Sequence, residues 1–207
     1  ALQILAARAE EKPAAKPALD QEITVASYYF GNYHPGDPRN VKMKGADWSE
    51  WELLKAAKPR FPGHQQPKVP LWGYGDESDP KVMAQKIDAA ADHGIDAFIF
   101  CWYRYDDGPF LERPITEGFM KAPNNNRMKF ALMWANHDWI DLHPYKRGTP
   151  EKLMFPGTVT PENFEKIGDL LLKDYFSHPS YWCIDGKPYF SFYDLSALLK
   201  GFGSVEA

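Results

Sequence analysis

The chain has 207 residues, and 24 lysines and arginines against 28 aspartates and glutamates give it a formal net charge of −4. Hydrophobic residues make up 44% and charged residues 25%, a balance that is typical of a globular protein and excludes a disordered tail, a collagen-like rod or a bundle of membrane helices. A mildly acidic chain without a basic run is not expected to bind nucleic acid, because neutralising phosphates requires clustered lysine and arginine. Aromatic residues make up 15%, more than a core of this size needs, so we expect some of them to face a ligand.

The first 21 residues are expected to lie outside the fold. Residues 1–9 (ALQILAARA) are apolar and end in a small-x-small pattern, which is typical of the end of a secretory signal; the end of an upstream helix or a cloning remnant is the alternative interpretation. No apolar run reaches the ~18 residues that a membrane span needs, so no membrane span is predicted. We therefore predict a signal remnant and linker over residues 1–21, a single domain over residues 22–207, and a secreted, periplasmic or cell-surface protein.

From residue 23 onwards, predicted strands alternate with predicted helices. Apolar runs rich in β-branched and aromatic residues indicate buried parallel strands, and capping residues before amphipathic stripes mark the helices. A long proline- and glycine-rich segment over residues 31–79, with one short amphipathic piece at 47–57, is expected to be a structured functional loop. The predicted strands are residues 23–30, 95–102, 128–134 and 187–193, and the predicted helices are residues 79–94, 110–121, 160–178 and 195–200.

Four successive strand–helix units imply a parallel sheet with right-handed crossovers. The predicted fold class is α/β, a (β/α)8 TIM-type barrel of which about the first four units lie in this chain, because the loops after the strands are long and aromatic whereas Gly94 joins a helix directly to a strand. A small doubly wound domain is the alternative, but no glycine-rich phosphate turn, P-loop or G-x-S-x-G elbow follows any predicted strand, and no cofactor is predicted. Half a barrel exposes open edges, so we expect a longer native chain or an assembly.

Each predicted strand delivers aromatic and hydrogen-bonding side chains to its carboxyl end, where chemistry gathers in parallel α/β folds. This combination suits a sugar, since covering one sugar face with an indole removes on the order of 100 Å² of apolar surface, worth roughly 2–3 kcal/mol. Trp102 and Trp134 could instead pack in the barrel mouth; as sugar contacts, their replacement by alanine would weaken binding by ~1–3 kcal/mol with the fold intact. The predicted residues that bind an oligosaccharide or polysaccharide are Tyr29, His34, Trp102, Tyr103, Tyr105, Trp134, Asn136, His137 and Tyr193.

Candidate catalytic groups at these strand ends are few. Asp138 and Asp194 are the best-placed acids, with His137 beside them, whereas hydrolysis of a glycosidic bond requires two carboxyl groups that face each other ~5–5.5 Å or ~6.5–9.5 Å apart. Asp194 could equally cap the helix that follows it. All three are therefore weak catalytic candidates.

The segment from His137 to His143 (HDWIDLH) permits an alternative metal hypothesis, although no metal site is predicted. On a helix, His137 and Asp141 would share one face, and His34 or Asp194 could supply a further ligand. This arrangement would suit a metal-dependent hydrolase.

The two cysteines are not expected to form a disulfide. Cys101 lies near the carboxyl end of the second predicted strand, and Cys183 precedes the fourth. One strand separates them, so their Cα atoms should be at least ~10 Å apart, beyond the ~7 Å limit for a disulfide.

Several motifs resemble glycoside hydrolase family 99-like domains, also described as WbsX-like glycan-processing domains. The resemblance covers roughly residues 23–195 and implies a (β/α)8 barrel that acts on glycans, with endo-acting α-mannosidase and α-mannanase activity in the characterised branch. It also implies that Tyr29, His34, Trp102, Tyr103, Trp134 and Asn136 contact sugar. The motifs are WSEW (48–51), AKPRFPGHQQP (57–67), YGDESDP (74–80), HGIDAF (93–98), LERP (111–114), WAN (134–136) and IDGKP (184–188).

Two departures from the family pattern bear on activity. His137 stands where such domains commonly have glutamate in Trp-Ala-Asn-Glu-Asn-Trp, and the Glu-Trp-x-Glu pair thought to supply the family's acid and base is absent from this chain. We expect that pair beyond Ala207. The first functional hypothesis is therefore a secreted glycoside hydrolase acting on mannan-like or other polysaccharide. The alternatives are a non-hydrolytic glycan-binding or glycosyltransferase-type relative and the metal-dependent hydrolase.

Overall fold

The computed structural model describes residues 23–141, 147–148 and 150–203. The predicted signal remnant and linker, and His143 at the end of the HDWIDLH segment, lie outside these residues. The helices and strands follow in chain order as β1 (Ala26–Tyr29), α1 (Pro38–Lys44), α2 (Trp51–Lys55), α3 (Pro80–Asp92), β2 (Ala97–Tyr105), β3 (Gly108–Phe110), a π-helical turn (Pro114–Phe119), a 3₁₀ turn (Asn125–Arg127), β4 (Lys129–Trp134), β5 (Trp139–Ile140), β6 (Leu153–Phe155), α4 (Pro161–Leu170), a second π-helical turn (Leu171–Phe176), β7 (Cys183–Ile184), β8 (Lys187–Pro188), β9 (Phe190–Phe192) and α5 (Leu195–Phe202).

The main sheet contains β1, β2, β4 and β9, adjacent in that order and all parallel. This order confirms the predicted α/β class and the succession of strand–helix units. The second strand runs three residues beyond its predicted end at 102, because its last residues pair with β3 in a hairpin. The fourth predicted strand is divided: β8 pairs with β7, and only β9 joins the main sheet.

The two faces of the sheet serve different purposes, and strand alternation assigns each residue to one of them. The helix face packs against α3 and the first π-helical turn, as shown by the ring of Phe100 lying 5.7 Å from that of Phe119. The opposite face of the sheet corresponds to the inner face of a (β/α)8 barrel. The helix face carries Phe98, Phe100, Trp102, Phe130, Leu132 and Trp134, and the inner face carries Ile99, Cys101, Tyr103, Tyr105 and Met133.

Capping residues start the helices of the outer layer. The Asp79 carboxylate accepts a hydrogen bond from Lys81 N and starts α3, whose Met83 and Ile87 are fully buried. The Thr160 hydroxyl caps α4 in the same way. The predicted helix over residues 110–121 is shortened to the π-helical turn, because Phe110 belongs to β3 and Leu111 has a φ of 55°.

Buried polar side chains fold the long segment after β1 onto the sheet. Asp37 begins α1 by accepting hydrogen bonds from Arg39 N and Asn40 N, and its second oxygen accepts one from Leu111 N at 2.9 Å. The segment is therefore fixed to the hairpin that extends β2, as expected for a structured loop.

Two further expectations concern the cysteines and the membrane. Both cysteines are free thiols, which confirms that no disulfide joins Cys101 to Cys183. Among the residues that the structure describes, no helix combines the length and apolarity that crossing a bilayer requires.

Candidate functional site

Four side chains at the carboxyl ends of the strands form an aromatic cup on the inner face: Tyr103, His137, Trp139 and Tyr193. The ring of Tyr103 lies 5.7 Å from that of His137 and 5.4 Å from that of Trp139. The rings of His137 and Tyr193 are 5.2 Å apart. Tyr103 is buried beneath the other three rings, whereas Tyr193 is 63% exposed. Three of the four had been predicted as sugar-binding residues, and Trp139 had not.

His137 carries a hydrogen-bond acceptor on one of its ring nitrogens. Its Nδ1 lies 2.8 Å from the carbonyl oxygen of Asp138, and since a carbonyl only accepts, this contact assigns the proton of the neutral ring to Nδ1. Nε2 then carries the lone pair. A neutral imidazole held in this way can accept a hydrogen bond from a sugar hydroxyl, as the glutamate common at this position could.

Tyr103 and Tyr105 both remain protonated near neutral pH. Burial raises the pKa of each phenol well above its usual value. The two residues nevertheless play different parts, because Tyr105 is 2% exposed and packs its ring 5.4 Å from Phe155. Tyr105 therefore packs beside the cup against Phe155, while the ring of Tyr103 contacts His137 and Trp139 within it.

Trp102 and Trp134 lie outside the cup. Both are fully buried on the helix face, with ring centroids 5.9 Å apart. Trp102 Nε1 donates to Glu112 Oε1 at 3.0 Å, and Trp134 Nε1 donates to Arg104 O at 3.1 Å. Neither indole has surface on which a sugar could stack, so the structure corrects the expectation for these two residues. They are core residues.

Tyr29 also belongs to the helix face. Its ring packs 4.9 Å from that of Phe100, and its hydroxyl donates to Glu77 Oε1 at 2.6 Å while accepting from Lys86 Nζ at 2.8 Å. This ion-paired cluster joins β1 to α3. The expected sugar contact at Tyr29 is therefore corrected as well, because the hydroxyl is engaged away from the cup.

His34 is fully buried, and neither ring nitrogen has a hydrogen-bond partner among the described residues. Burial lowers the pKa of this imidazole; the charge of Asp37 opposes the shift, and the charge of Arg113 adds to it. A fully buried ring has no surface to offer a sugar. The expectation that His34 contacts ligand is thus corrected.

His34 should make stability depend on pH. Because its pKa is lowered in the folded state, the unfolded chain binds the proton more readily, so stability is present above the ordinary histidine pKa of about 6.5 and falls as the pH drops below it. Urea unfolding followed by circular dichroism between pH 5 and 8 should show this loss in the wild type. The His34→Phe variant should show a smaller loss, and an identical pH profile in both proteins would contradict this role.

The side chain of Asn136 joins the ends of β4 and β9 through two hydrogen bonds. Its Nδ2 donates to Asp194 O at 2.6 Å, and its Oδ1 accepts from Asp194 N at 2.9 Å. The amide is 2% exposed, so these backbone contacts replace the predicted contact with sugar. They fix the chain on both sides of the cup, because His137 and Tyr193 directly adjoin the clamped residues.

The carboxylates of the two candidate acids also accept hydrogen bonds from backbone amides. Asp138 Oδ1 accepts a hydrogen bond from Gly157 N at 2.8 Å. Asp194 Oδ1 accepts one from Ala197 N at 3.1 Å and starts α5, as the capping alternative predicts. These contacts give both carboxylates a structural role.

The metal hypothesis required His137 and Asp141 to lie on one helix, and the described residues 137–141 are not helical. Trp139 and Ile140 form strand β5, and Asp141 pairs with Lys44 at 2.7 Å. Within residues 23–141, 147–148 and 150–203, no group of three or more histidine, cysteine, aspartate or glutamate side chains could hold a metal ion.

Sequence reasoning missed the buried carboxylate of Glu50, in the long segment after β1. Glu50 is 8% exposed, and its Oε1 accepts from Asn32 Nδ2 at 3.1 Å. Its charge contributes to raising the pKa of both Tyr33 and Tyr103. The WSEW motif contains this residue, but its contact with a residue 18 positions earlier depends on the fold.

A family model and two curated proteins match the sequence. The sequence model of the family described as "Glycosyltransferase WbsX" matches residues 25–203. Proteins from two strains of Xanthomonas campestris pv. campestris, each called "Uncharacterized protein WxcX", are 34% identical to this chain over 117 residues. The alignment covers 56% of this chain and only 16% of either relative, so the chain spans a small part of the curated relatives it matches.

Among solved structures, the chain is similar to a GH99 endo-alpha-mannosidase from Bacteroides thetaiotaomicron in complex with bis-tris propane. The TM-score is 0.51 at 15% sequence identity, and the match covers 83% of this chain and 42% of that chain. This likeness concerns the fold and agrees with a partial TIM barrel. Since the family model spans most of the sequence, the chain belongs to the WbsX glycosyltransferase family, as its resemblance to GH99-like and WbsX-like domains implied.

Proposed function

We propose that this chain is part of a glycan-active enzyme that hydrolyses glycosidic bonds and holds sugar in the aromatic cup. The observation that carries the proposal is the cup itself: an exposed phenol beside an acceptor imidazole, at the strand ends where α/β barrels place their substrates. Flat C–H faces of a sugar fit aromatic rings, and sugar hydroxyls fit hydrogen-bonding groups. The family description and the fold of the mannosidase support glycan as the substrate class.

We favour hydrolysis over transfer from a nucleotide sugar because several basic side chains near the strand ends are already paired with carboxylates. To bind the diphosphate of a nucleotide sugar, a protein requires cations or a glycine-rich phosphate turn. Four basic side chains from the elements around the strand ends are instead paired with carboxylates. They are Arg39 with Asp107, Lys44 with Asp141, Lys86 with Glu77, and Arg113 with Glu117.

The acid and base of the reaction are proposed to come from another part of the protein. Asp138 and Asp194 accept hydrogen bonds from backbone amides, and the chain contains no Glu-Trp-x-Glu. In this proposal the chain supplies sugar binding and the (β/α) framework. We also propose that the protein is secreted, periplasmic or attached to the cell surface. This part of the proposal rests on the apolar start of the sequence.

The test is a glycan-array screen of the purified protein, followed by incubation of the full-length enzyme with the bound oligosaccharides. α-Mannosidic oligosaccharides are the first substrates to include, because the structural relative is an endo-alpha-mannosidase. Hydrolysis in H₂¹⁸O should place ¹⁸O at the new reducing end, as detected by mass spectrometry. Product formation only when a nucleotide sugar is added would establish transfer and overturn hydrolysis.

Tyr193→Ala should weaken oligosaccharide binding by roughly 1–3 kcal/mol, because it removes the exposed ring of the cup. The free energy of unfolding should change little, since the ring is 63% exposed. Isothermal titration calorimetry with an array-selected oligosaccharide measures the affinity. Tyr28→Ala is the matched control, because Tyr28 is equally exposed but pairs with Ile99, four residues before Tyr103 on β2. Equal losses in both variants would contradict a role specific to the cup.

A further inference from the structure

We propose that Asp138 and Gly157 are positioning residues that hold the His137 imidazole in the tautomer offering Nε2 to the sugar as a hydrogen-bond acceptor. The inference deepens the proposed function and rests on it. It also gives Asp138, a catalytic candidate from the sequence, a different part in the site, because the residue acts through His137 rather than on the glycosidic bond.

The backbone of Gly157 lies directly against that of His137. A Cβ atom added at Gly157 would lie 2.3 Å from His137 C and 2.6 Å from its Cα, closer than nonbonded atoms approach each other. Glycine is therefore required where the segment between β6 and α4 passes the cup. Val159, two residues later, is 2% exposed within the core, so Gly157 belongs to a fixed part of the chain.

The Asp138 carboxylate fastens the same two segments to each other. Its Oδ1 accepts a hydrogen bond from Gly157 N at 2.8 Å. The carbonyl oxygen of Asp138 lies 2.8 Å from His137 Nδ1 and so accepts from it. Because the carboxylate is tied to Gly157, the carbonyl group of the same residue is held in the direction that the imidazole requires.

The tautomer of His137 decides what the cup offers to a hydroxyl. Its ring is half-buried and lies 5.7 Å from that of Tyr103 and 5.2 Å from that of Tyr193. Nδ1 is engaged with the carbonyl, and among the residues that the structure describes none hydrogen-bonds to Nε2. Nε2 is thus the nitrogen left for a ligand, and with the proton held on Nδ1 it is an acceptor.

Holding one tautomer raises affinity through population. A ligand that binds one state of a side chain has its affinity reduced by the fraction of molecules in that state. Without the Asp138 contact, the His137 ring would divide its time between two tautomers and several orientations. If the acceptor state fell to about a fifth of the molecules, the affinity for sugar would fall about fivefold.

The first measurement is the tautomer itself. Protein containing ¹⁵N-labelled histidine is studied by NMR at pH 8, above the ordinary histidine pKa of about 6.5. The spectrum of His137→Ala identifies the resonances of His137, and their ¹⁵N chemical shifts show which ring nitrogen carries the proton. We expect the proton on Nδ1 in the wild type and both tautomers in Asp138→Ala.

The second measurement is a double-mutant cycle for affinity. Calorimetry with the array-selected oligosaccharide compares the wild type, Asp138→Ala, His137→Ala and the double variant. We expect Asp138→Ala to weaken binding about fivefold and His137→Ala about tenfold. In the His137→Ala background, Asp138→Ala should weaken binding less than about twofold, because the ring through which it acts is gone.

Asp79→Ala is the matched control, because the Asp79 residue is likewise exposed and its carboxylate accepts from a backbone amide, Lys81 N, at 2.8 Å. It starts α3 on the other face of the sheet. Asp79→Ala should therefore lower the free energy of unfolding about as much as Asp138→Ala does, and leave the His137 tautomer and the affinity unchanged.

Asp138→Asn tests positioning against catalysis. It retains an oxygen that can accept from Gly157 N, so it should keep the tautomer and the affinity of the wild type. The same change would remove the function of a catalytic acid.

Gly157→Ala is the second variant, because it drives the two segments apart from the other side. It should release the His137 tautomer as Asp138→Ala does. Gly168→Ala is its control, since a Cβ added at Gly168 meets no atom within 4 Å.

The outcomes separate the two proposals. Wild-type protein that binds no oligosaccharide overturns the proposed function, and the inference falls with it. Wild-type binding combined with an unchanged tautomer in Asp138→Ala overturns the inference alone. An affinity loss in Asp138→Ala that is equally large in the His137→Ala background shows that Asp138 only maintains structure, which also overturns the inference.

Discussion

Replacing Trp102 or Trp134 by alanine is expected to lower the free energy of unfolding by about 3–5 kcal/mol. Each change removes a fully buried indole from the helix face together with the hydrogen bond that the indole donates, to Glu112 or to the Arg104 carbonyl. Urea denaturation followed by far-ultraviolet circular dichroism measures the loss without relying on tryptophan fluorescence.

Trp72→Ala is the control for this prediction, because Trp72 is 51% exposed and should cost much less stability. A Trp102→Ala protein that unfolds like the wild type but loses affinity for oligosaccharide would contradict the core assignment. It would restore the sugar-stacking role that the sequence suggested.

Glu77→Ala is expected to lower the free energy of unfolding by about 2–4 kcal/mol, because it removes a buried acceptor shared by three donors. The carboxylate side chain is 3% exposed and accepts from Tyr29 Oη at 2.6 Å, from Tyr33 N at 3.2 Å and from Lys86 Nζ at 2.5 Å. These contacts connect β1, the loop after it and α3. Thermal and urea unfolding measure the effect.

The matched control is Glu117→Ala. Glu117 also pairs with a basic residue, Arg113, but its side chain is 41% exposed, so its loss should cost less than about 1 kcal/mol. Equal destabilisation by the two changes would show that the burial of Glu77 is not what makes its ion pair important.

The order of elements could be predicted from the sequence because local signals mark it. Asp79 and Thr160 cap α3 and α4 as their residue types predict, and the apolar runs form parallel strands. The assignment of faces could not be predicted in the same way. Residues 97–105 are mostly apolar on both sides, so hydrophobicity does not distinguish the inner face from the helix face.

Strand alternation does contain part of that information. Trp102 and Tyr103 are neighbours on one strand, so they point to opposite faces and cannot both line one site. The sequence-based prediction assigned both to the sugar. Which one faces inward depends on where the helices pack, and only the contacts of Tyr175 and Phe164 with the indoles resolve this.

The roles of polar side chains depended on partners far away in the chain. Asn136 meets the backbone of Asp194, and Glu50 meets Asn32. No periodic pattern predicts such pairs, because the partners are 18 and 58 residues apart in the sequence. The same residue types could equally have met a ligand, which is why an amide that clamps two strand ends was predicted to contact sugar.

The division of β2 into two faces also constrains how the family can diversify. Substitutions at residues 101, 103 and 105 reshape the inner face while leaving the packing of residues 98, 100 and 102 in place. Gain or loss of a single residue within the strand would exchange the two sets and disrupt both at once. Point changes along one side of this strand can therefore alter the inner face alone, whereas changes in length are tolerated only in the connecting segments.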